Sequence, residues 1–367
     1  MNILIQLSHP AHFHLYKNAA RNLMDNGHQV HILIKSKDIL EDILVSSGLP
    51  YRNILEVAHR KSKFGILWDM LVRDWKIFCY CIKNKIDLLT GSTPEVAHIG
   101  WLLRRFSVNT GEDDAAVVPA FEKMTAPFMQ TCLSPVSCYN GRYEKRTIHY
   151  EGFQKLAYLH PNQFKPDMSV VRTYGIDPES HYFIMRFAKL NAHHDKGVSG
   201  INTEIAQRLI DILSPVGRVF ITSERELEPQ FEQYRLQINP LDIHHVMSYA
   251  TLYLGDSQSM AVEAAMLGVP SLRFNDFVGP KRIGVLVELE EKYKLTYGIS
   301  SKQPEVLYDK VKEILALPNI REEWQERRQK MLADKIDVTA FFTWFIENYP
   351  ESKKIMKENP DYQYNFK

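Results

Sequence analysis

A serine-rich segment late in the chain has the residue types that bind a phosphorylated ligand. It runs from Ala250 to Phe274 and reads ATLYLGDSQSMAVEAAMLGVPSLRF. Its apolar run Leu252–Leu254 predicts a buried strand, and the apolar spacing after Met260 predicts a helix that ends before Gly268. The start of such a helix can bind an anion, because its first backbone N–H groups have no intrahelical partner and its dipole favours negative charge.

The side chains of this segment indicate which anion it binds. Ser257 and Ser259 are hydroxyl donors, and Asp256 and Gln258 complete the polar turn. Glu263, one turn into the helix, has a carboxylate that can accept hydrogen bonds from two ribose hydroxyls. Phosphates at the helix start and a ribose on this carboxylate together predict a nucleoside diphosphate. The alternative is a turn without a ligand, in which Glu263 is an ordinary solvated acid.

Further candidate contacts to a diphosphate follow other strands of the C-terminal half. The predicted strand Tyr182–Phe187 contains Arg186 near its end, and the loop after it contains His193 and His194. Guanidinium and imidazole groups donate hydrogen bonds to phosphate oxygens. A metal site formed by these histidines and Asp195 is the alternative, but adjacent residues rarely coordinate one ion, so we predict no metal. The remaining candidates lie at a strand end and in a helix that would flank a nucleobase, and they are Ser223, Glu224 and His244.

The N-terminal half has candidate general bases at two strand ends. Three histidines lie in the segment Ser8 to His14, which we predict to be a loop after the first strand. Histidine is the side chain most easily tuned to act as a base near neutral pH. Three acids follow the predicted strand Phe106–Thr110. We predict His12 as the base, with Glu112 or Asp113 as the second choice; structural histidines and solvated acids are the alternatives.

The elements around these residues predict an α/β fold. Short apolar strands alternate with amphipathic helices from the first strand, Asn2–Leu7, onward, which is typical of parallel, doubly wound sheets. Such sheets bind ligands at the carboxyl ends of their strands, where the candidate residues lie. We predict one domain over residues 1–167, a second over 168–335, and a C-terminal helix and tail over 336–367. The helix is expected to cross back to the first domain, and the tail after Pro350 is expected to fray.

Composition excludes several classes of protein. A chain of 367 residues is long enough for two domains, and a net charge of +1 gives no reason to expect a nucleic-acid partner. The four cysteines have no zinc or redox spacing and are typical of reduced thiols in a cytoplasmic protein. No apolar run approaches the roughly 20 residues of a transmembrane helix.

The segment of residues 59–83 has two interpretations. A basic run, His59 to Lys63, precedes a predicted amphipathic helix over Phe64 to Lys83. In the first interpretation its apolar side packs in the core; in the second, its tryptophans and basic residues contact anionic lipid at the inner face of the membrane as a peripheral helix. The apolar side consists of Ile66, Leu67, Met70, Leu71, Trp75, Phe78 and Cys79.

Several motifs carry a resemblance to a known family. SHPAHFHLYKN, GHQV, EGFQKLAYLHP, RFAKLNAHHD and GDSQSMAVEAAMLGVP resemble the bacterial and archaeal family called domain of unknown function 354, over nearly the whole chain. The last motif is also similar to the donor loop of GT-B glycosyltransferases and of UDP-N-acetylglucosamine 2-epimerases. The epimerase pattern is Ser-Asp-Ser-Gly-Gly, two residues, Glu-Glu-Ala, then Gly-Val-Pro. Gln258 and Ser259 replace its two glycines.

This resemblance implies a GT-B fold, with two doubly wound Rossmann-like domains facing a cleft. By the matching positions, Ser257 would contact phosphate and Glu263 the ribose, while Arg186 and His193 would face the diphosphate. The implied activity is metal-independent glycosyl transfer without a resident cofactor. The donor would be a nucleoside-diphosphate sugar, with UDP as the expected nucleotide. The acceptor would be a glycan or a lipid-linked molecule in surface polysaccharide synthesis, as for the related transferase that makes lipid II.

Two other functions remain open at the level of sequence. A nucleotide-sugar 2-epimerase would need acids and bases on both faces of the sugar, and the acidic run Glu112–Asp114 would supply them. A non-catalytic nucleotide-sugar-binding scaffold would fit the aromatic helix around Trp68 and Trp75.

Overall fold

The chain forms two compact units. The computed structural model describes residues 1–35, 39–54, 63–188, 200–276, 278 and 283–367. The first unit comprises Met1–Gln163 together with Lys335–Lys367, and the second unit comprises Phe164–Asp334. Within the described residues, the first unit contains a sheet of seven strands and the second a sheet of five.

The sheet of the first unit is parallel throughout, with the strand order β3-β2-β1-β4-β5-β6-β7. Its strands are β1 Asn2–Leu7, β2 Gln29–Ile34, β3 Tyr51–Asn53, β4 Leu88–Gly91, β5 Phe106–Thr110, β6 Cys132–Pro135 and β7 Thr147–Tyr150. Helices of this unit are α1 Pro10–Asp25, α2 Leu40–Ser47, α3 Lys63–Lys83, α4 Pro94–Leu103, α5 Pro119–Thr125 and α6 Leu156–Leu159, with a 3₁₀ helix at Gly141–Arg146.

The sheet of the second unit is also parallel, with the order β12-β11-β10-β8-β9. Its strands are β8 Tyr182–Phe187, β9 Arg218–Ser223, β10 Leu252–Gly255, β11 Ser271–Phe274 and β12 Thr296–Ile299. Its α-helices are α7 Met168–Thr173, α8 Thr203–Leu213, α9 Ile243–Ser248, α10 Gln258–Leu267, α11 Gly284–Glu291, α12 Pro304–Leu315 and α13 Ile320–Asp334, and 3₁₀ helices lie at Pro229–Tyr234 and Pro240–Asp242.

Continuous apolar runs explain why both sheets are parallel. Residues 3–5 of β1 and residues 252–254 of β10 are completely buried, as expected for central strands covered on both faces. Strands of this kind cannot pair through tight hairpins, so a helix crosses between them. The prediction of parallel, doubly wound sheets is therefore confirmed.

The C-terminal segment returns to the first unit, as predicted. It forms α14 Val338–Glu347, α15 Glu351–Glu358 and a 3₁₀ helix at Pro360–Phe366. Helix α14 packs against α1: the rings of Phe342 and Tyr16 lie 6.5 Å apart, and Asn22 Nδ2 donates to Thr343 Oγ1 over 3.4 Å.

The prediction of a frayed tail after Pro350 was wrong. Ser352 is fully buried and its hydroxyl donates to the carbonyl of Phe345, while Met356 and Gln363 are 3% and 4% exposed. These contacts satisfy the backbone and bury apolar surface, so the charged composition of the tail is confined to its outer face.

Candidate functional site

The turn between β10 and α10 has the geometry that the sequence predicted. Ser257 is the N-cap of α10, in extended conformation, and its hydroxyl accepts from the backbone N–H of Met260 over 3.5 Å. The helix is buried all round from Ala261 to Leu267 and ends at Gly268, whose φ of 71° lies in the left-handed region that glycine adopts without strain. A helix held on every side presents its N-terminus in a fixed position.

Close packing of two strand ends fixes this turn beside Arg186. Gly255 pairs with Arg186 in the register of β10 and β8. A Cβ atom at Gly255 would lie 2.7 Å from the carbonyl oxygen of Arg186 and 2.9 Å from the hydroxyl of Tyr253. Only glycine fits there, so the start of α10 directly follows the point where the two strands come together.

The buried carboxylate of Asp256 binds backbone N–H groups from other segments of the second unit. It is 3% exposed, and its carboxylate accepts from the backbone N–H groups of Ala188, over 2.5 Å, and Ile201. The side-chain amide of Asn275 donates to its carbonyl oxygen over 3.0 Å. Burial raises the pKa of the Asp256 carboxyl to about 6, although the two backbone bonds oppose that shift. Asp256 thus fixes the positions of Ala188 and Ile201 relative to the turn.

Arg186 and Glu224 form an ion pair at the ends of β8 and β9. The arginine side chain is 18% exposed and the glutamate side chain 49% exposed. Ser223 takes part in a local turn, since its hydroxyl donates to the carbonyl of Arg225 over 2.7 Å. A guanidinium that is already balanced by a carboxylate attracts a phosphate less strongly than an isolated one, because the net charge of the pair is zero.

His244 and Glu263 come together from neighbouring helices. The imidazole Nε2 lies 3.5 Å from the Glu263 carboxylate, and the two side chains are 4% and 11% exposed. His244 therefore contacts the predicted ribose-binding carboxylate, a relationship that its position in the sequence did not indicate. Glu263 is not the solvated acid of the alternative interpretation.

The remaining predicted residues of the second unit lie in different environments. Gln258 and Ser259 occupy the first turn of α10, and Ser259 is exposed. Within the part of the chain that the structure describes, the Gln258 Oε1 atom is buried and has no hydrogen-bond partner. His193 and His194 lie outside the described residues.

His12 occupies a helix, and the prediction of a loop over Ser8 to His14 was wrong. Helix α1 begins at Pro10, because proline suits the first helical position and His9 caps the helix by accepting from the N–H of Ala11 over 3.1 Å. His12 lies in the first turn, where its Nδ1 is 3.3 Å from the N–H of Ser8 and 3.4 Å from the Ser8 hydroxyl. The His12 side chain is partly exposed. Both distances join its Nδ1 atom to Ser8.

The two acids proposed as alternative bases differ in their contacts. The Glu112 carboxylate accepts from Lys155 Nζ over 2.5 Å and from the backbone N–H of Gln154 over 2.6 Å, and it is 11% exposed. The Glu112 carboxylate is therefore already paired with a cation and a backbone donor. Asp113 is exposed.

A buried hydroxyl network, absent from the sequence predictions, supports α1 near His12. The Tyr16 hydroxyl lies 2.8 Å from Thr90 Oγ1 and 3.1 Å from Thr110 Oγ1, and Ser92 Oγ lies 2.6 Å from Thr110 Oγ1. Burial raises the pKa of Tyr16 to about 12, so this hydroxyl stays protonated. Threonines at the ends of two adjacent strands were the only sequence signal for it.

Two kinds of feature, a membrane-spanning helix and a cluster of metal ligands, are absent from the described residues. No helix among them is long and apolar enough to span a membrane. No group of three or more histidine, cysteine, aspartate or glutamate side chains in those residues is arranged to hold a metal ion.

Comparison with known proteins gives the fold a name. The chain is similar to the Neisseria meningitidis UDP-GlcNAc 2-epimerase bound to UDP-GlcNAc, at 14% identity and a TM-score of 0.65, over 95% of this chain and 100% of that one. The S. aureus MnaA–UDP structure gives 11% identity and a TM-score of 0.67, over 96% and 97%. The spinosyn forosaminyltransferase SpnP gives 13% identity and a TM-score of 0.63, over 95% and 98%.

The protein has the GT-B fold. No protein-family model matches the chain, and no curated protein does either. The similarity to solved structures extends over almost the full length of both chains, so it includes both units. Glycosyltransferases and UDP-GlcNAc 2-epimerases share this fold, and at these identities the comparison establishes the architecture alone.

Proposed function

We propose that the protein is a metal-independent glycosyltransferase and a member of the domain of unknown function 354 family. It transfers a sugar from a nucleoside-diphosphate sugar, with UDP as the nucleotide, to a glycan or lipid-linked acceptor in surface polysaccharide synthesis. The observation that carries this proposal is the buried His244–Glu263 pair behind the capped N-terminus of α10, on a GT-B fold. Two proteins of similar structure were solved with UDP or UDP-GlcNAc bound, which supports the choice of nucleotide.

The proposed donor site separates the two parts of the nucleotide. The diphosphate lies at the start of α10, where the backbone N–H groups of the first turn and the hydroxyls of Ser257 and Ser259 donate to it. The ribose hydroxyls donate to the Glu263 carboxylate. His244 lies 3.5 Å from that carboxylate and would help to orient it, so that the ligand need not order it on binding.

The ion pair at the strand ends adjusts the charge of this site. When a diphosphate binds, Arg186 can donate to it while Glu224 keeps the guanidinium in place. The loop histidines His193 and His194 are further proposed donors. Cationic and N–H donors of this kind stabilise the diphosphate leaving group without a divalent ion.

In the proposed reaction the bond between the anomeric carbon and the diphosphate oxygen breaks, and the electron pair leaves with the diphosphate. Donors aimed at the developing charge lower the barrier, and losing one typically costs about 2.7–4 kcal/mol. An acceptor hydroxyl forms the new bond to the anomeric carbon, and its proton passes to a general base, for which we propose His12. Glu112 is the weaker candidate because Lys155 already neutralises its charge, and Asp113 remains the other.

His12 can act as a base only in one tautomer. If Nδ1 accepts from the Ser8 N–H, the neutral ring carries its proton on Nε2 and cannot accept another there. If Nδ1–H instead donates to the Ser8 hydroxyl, Nε2 is the unprotonated ring nitrogen and can take the acceptor proton. The proposal therefore assigns Ser8 the role of orienting His12.

A sugar-nucleotide 2-epimerase is the second candidate, because 2-epimerases of similar structure match over nearly the full chain.

A thermal-shift screen against nucleoside diphosphates and their sugars first identifies the donor, since a ligand at 100 times its dissociation constant adds about 2.7 kcal/mol to the free energy of unfolding. The donor is then incubated in D₂O without an acceptor. Deuterium at C2 of the sugar would establish the epimerase. A donor that stays intact without an acceptor, and releases its nucleotide only when a glycan or lipid-linked acceptor is added, would support the transferase. Binding without either reaction would indicate a scaffold.

A further inference from the structure

The outer face of α3 is the most apolar exposed surface among the described helices of the first unit. Trp68, Leu71, Trp75 and Ile82 are 56%, 51%, 66% and 56% exposed, and their spacings of three, four and seven residues place them in one stripe. At 1.5 Å per residue the stripe is about 21 Å long. Leu67, at 50% exposure, lies beside it. A contiguous apolar stripe on a surface helix indicates an interaction site.

The sequence interpretation in which this apolar side packs in the core was wrong for its exposed members. The core contact is made instead by Ile77 and Cys81, which are 0% and 2% exposed and pack with residues of β1, β2 and β4. Trp75 lies about 160° around the helix from Ile77, and Leu71 lies about 120° from it. The helix is therefore apolar on two faces, and the sheet covers only one of them.

Charge on α3 is divided between the same two faces. Its acids are turned inward: Asp69 is 6% exposed, and Asp74 pairs with His98 of α4 over 3.0 Å. Arg73 pairs with the buried Glu95 over 2.5 Å. Of the α3 side chains that the structure describes, the exposed polar ones are lysines, Lys76 and Lys83.

We infer that this face of α3, the surface formed by Trp68, Leu71, Trp75, Lys76, Ile82 and Lys83, docks onto an anionic lipid bilayer. Tryptophan and leucine flanked by lysine, with no exposed carboxylate on the described part of the helix, are the composition of a helix lying in the headgroup region. Lysine is depleted in protein–protein interfaces, so the same lysines argue against a protein partner. The basic run His59 to Lys61 precedes the helix in sequence but lies outside the described residues.

The docking surface belongs to one helix of the first unit, and the inference does not depend on the proposed activity. Two signals act together: apolar burial supplies affinity, and the lysines supply selectivity for anionic headgroups. An acceptor held in the same bilayer would then meet an enzyme already at its surface. If the protein failed to bind vesicles, the proposed nucleotide site would still stand. If it failed to bind nucleotides, the proposed docking surface would still stand.

The test is co-sedimentation of the full chain with two kinds of vesicle, one of phosphatidylcholine alone and one of equimolar phosphatidylcholine and phosphatidylglycerol. We expect retention on the anionic vesicles only, weakening as salt is raised, with a blue shift of tryptophan emission. The double variant Leu71→Glu/Trp75→Glu should weaken binding at least about tenfold. Lys76→Gln and Lys83→Gln should each weaken it about fivefold.

Val45→Glu is the matched control, because Val45 is also 66% exposed and lies on α2 of the same unit. It should bind vesicles like the wild type. Circular dichroism melting of each variant establishes that it is folded. The inference is overturned if the wild type is not retained at low salt, or if Leu71→Glu/Trp75→Glu binds as well as Val45→Glu. A wild-type dimer that this double variant converts to a monomer in light scattering would assign the surface to a second copy of the chain.

Discussion

The imidazole of His244 and the carboxylate of Glu263 lie 3.5 Å apart, on α9 and α10, and both side chains are largely buried. A buried carboxylate beside a histidine is held in place, whereas an exposed one samples many rotamers. Glu263 lies in the second turn of α10, after the N-cap Ser257.

Removal of the Glu263 carboxylate should weaken nucleotide binding selectively. Glu263→Ala is expected to lower the affinity for UDP about tenfold to a hundredfold, since hydrogen bonds to a charged group contribute about 1.5–3 kcal/mol. Isothermal titration calorimetry with UDP and 2′-deoxy-UDP separates this role from general damage. The wild type should prefer UDP, and the variant should lose that preference. Glu151→Gln, in the first unit, is the control; equal preference in wild type and Glu263→Ala would refute the ribose assignment.

His244 should act through Glu263. We expect His244→Ala to weaken UDP binding less than Glu263→Ala does, and the double variant to be no worse than Glu263→Ala alone. A double-mutant cycle on UDP affinity should give a coupling free energy of about 0.5–3 kcal/mol, the range for residues in direct contact. Additive effects of the two substitutions would mean that His244 contacts the ligand independently.

Ser8 and His12 should affect turnover and leave donor affinity unchanged. His12→Ala is expected to lower kcat about 10²- to 10⁴-fold and to remove the acidic limb of the pH–rate profile. Ser8→Ala removes the hydroxyl that accepts from Nδ1–H. We therefore expect kcat to fall about two- to tenfold and the acidic limb of the pH–rate profile to remain. His9→Ala is the control: it should cost about 1 kcal/mol of stability through the lost helix cap but preserve kcat. Full turnover in His12→Ala would exclude this residue as the base.

Asp256 should make the unfolding free energy depend on pH. Its folded-state pKa is raised from 3.8 to about 6, so between these values the folded protein binds the proton more tightly than the unfolded chain. Stability from this group is therefore present below about pH 4 and declines as pH rises to about 6, by about 3 kcal/mol. Urea titrations of wild type and Asp256→Asn should show their difference changing over this window, and a constant difference would contradict the assignment.

Gly255 should tolerate no side chain. Gly255→Ala would place a Cβ atom 2.7 Å from the Arg186 carbonyl oxygen, a backbone atom that cannot move alone. We expect a loss of about 1–3 kcal/mol of unfolding free energy in urea titrations. Gly111→Ala is the matched control, because the nearest atom to its added Cβ is Cys132 Sγ at 3.8 Å. Equal stabilities of the two variants would mean that β8 and β10 separate more easily than their packing indicates.

Local sequence predicted the candidate donor turn well, because its determinants are adjacent in the chain. Ser257 as a cap, Gly268 as a left-handed stop and the apolar run between them specify α10 without reference to other elements. The same kind of reasoning failed at Ser8 to His14. There, a histidine cap and a proline at the first helical position start α1 at Pro10, and histidine is a less familiar cap than serine or aspartate.

The partners of charged residues required the structure. Asp256 resembles a ligand contact in sequence, yet its carboxylate accepts from the N–H groups of Ala188 and Ile201, which are 68 and 55 positions away along the chain. Arg186 is paired with Glu224, and Glu112 with Lys155. Each pairing changes the charge available to a substrate, and none follows from spacing along the chain.

The sequence by itself determined the alternation of strands and helices, the parallel sheets and the polar turn that precedes α10, because hydrophobic period and capping act within a few residues. Tertiary structure decided which side of α3 the sheet covers, where the C-terminal tail packs, and that His244 meets Glu263. Those outcomes depend on which surfaces meet when distant elements pack, and a helix with two apolar faces, such as α3, carries no local signal for which face stays in solvent.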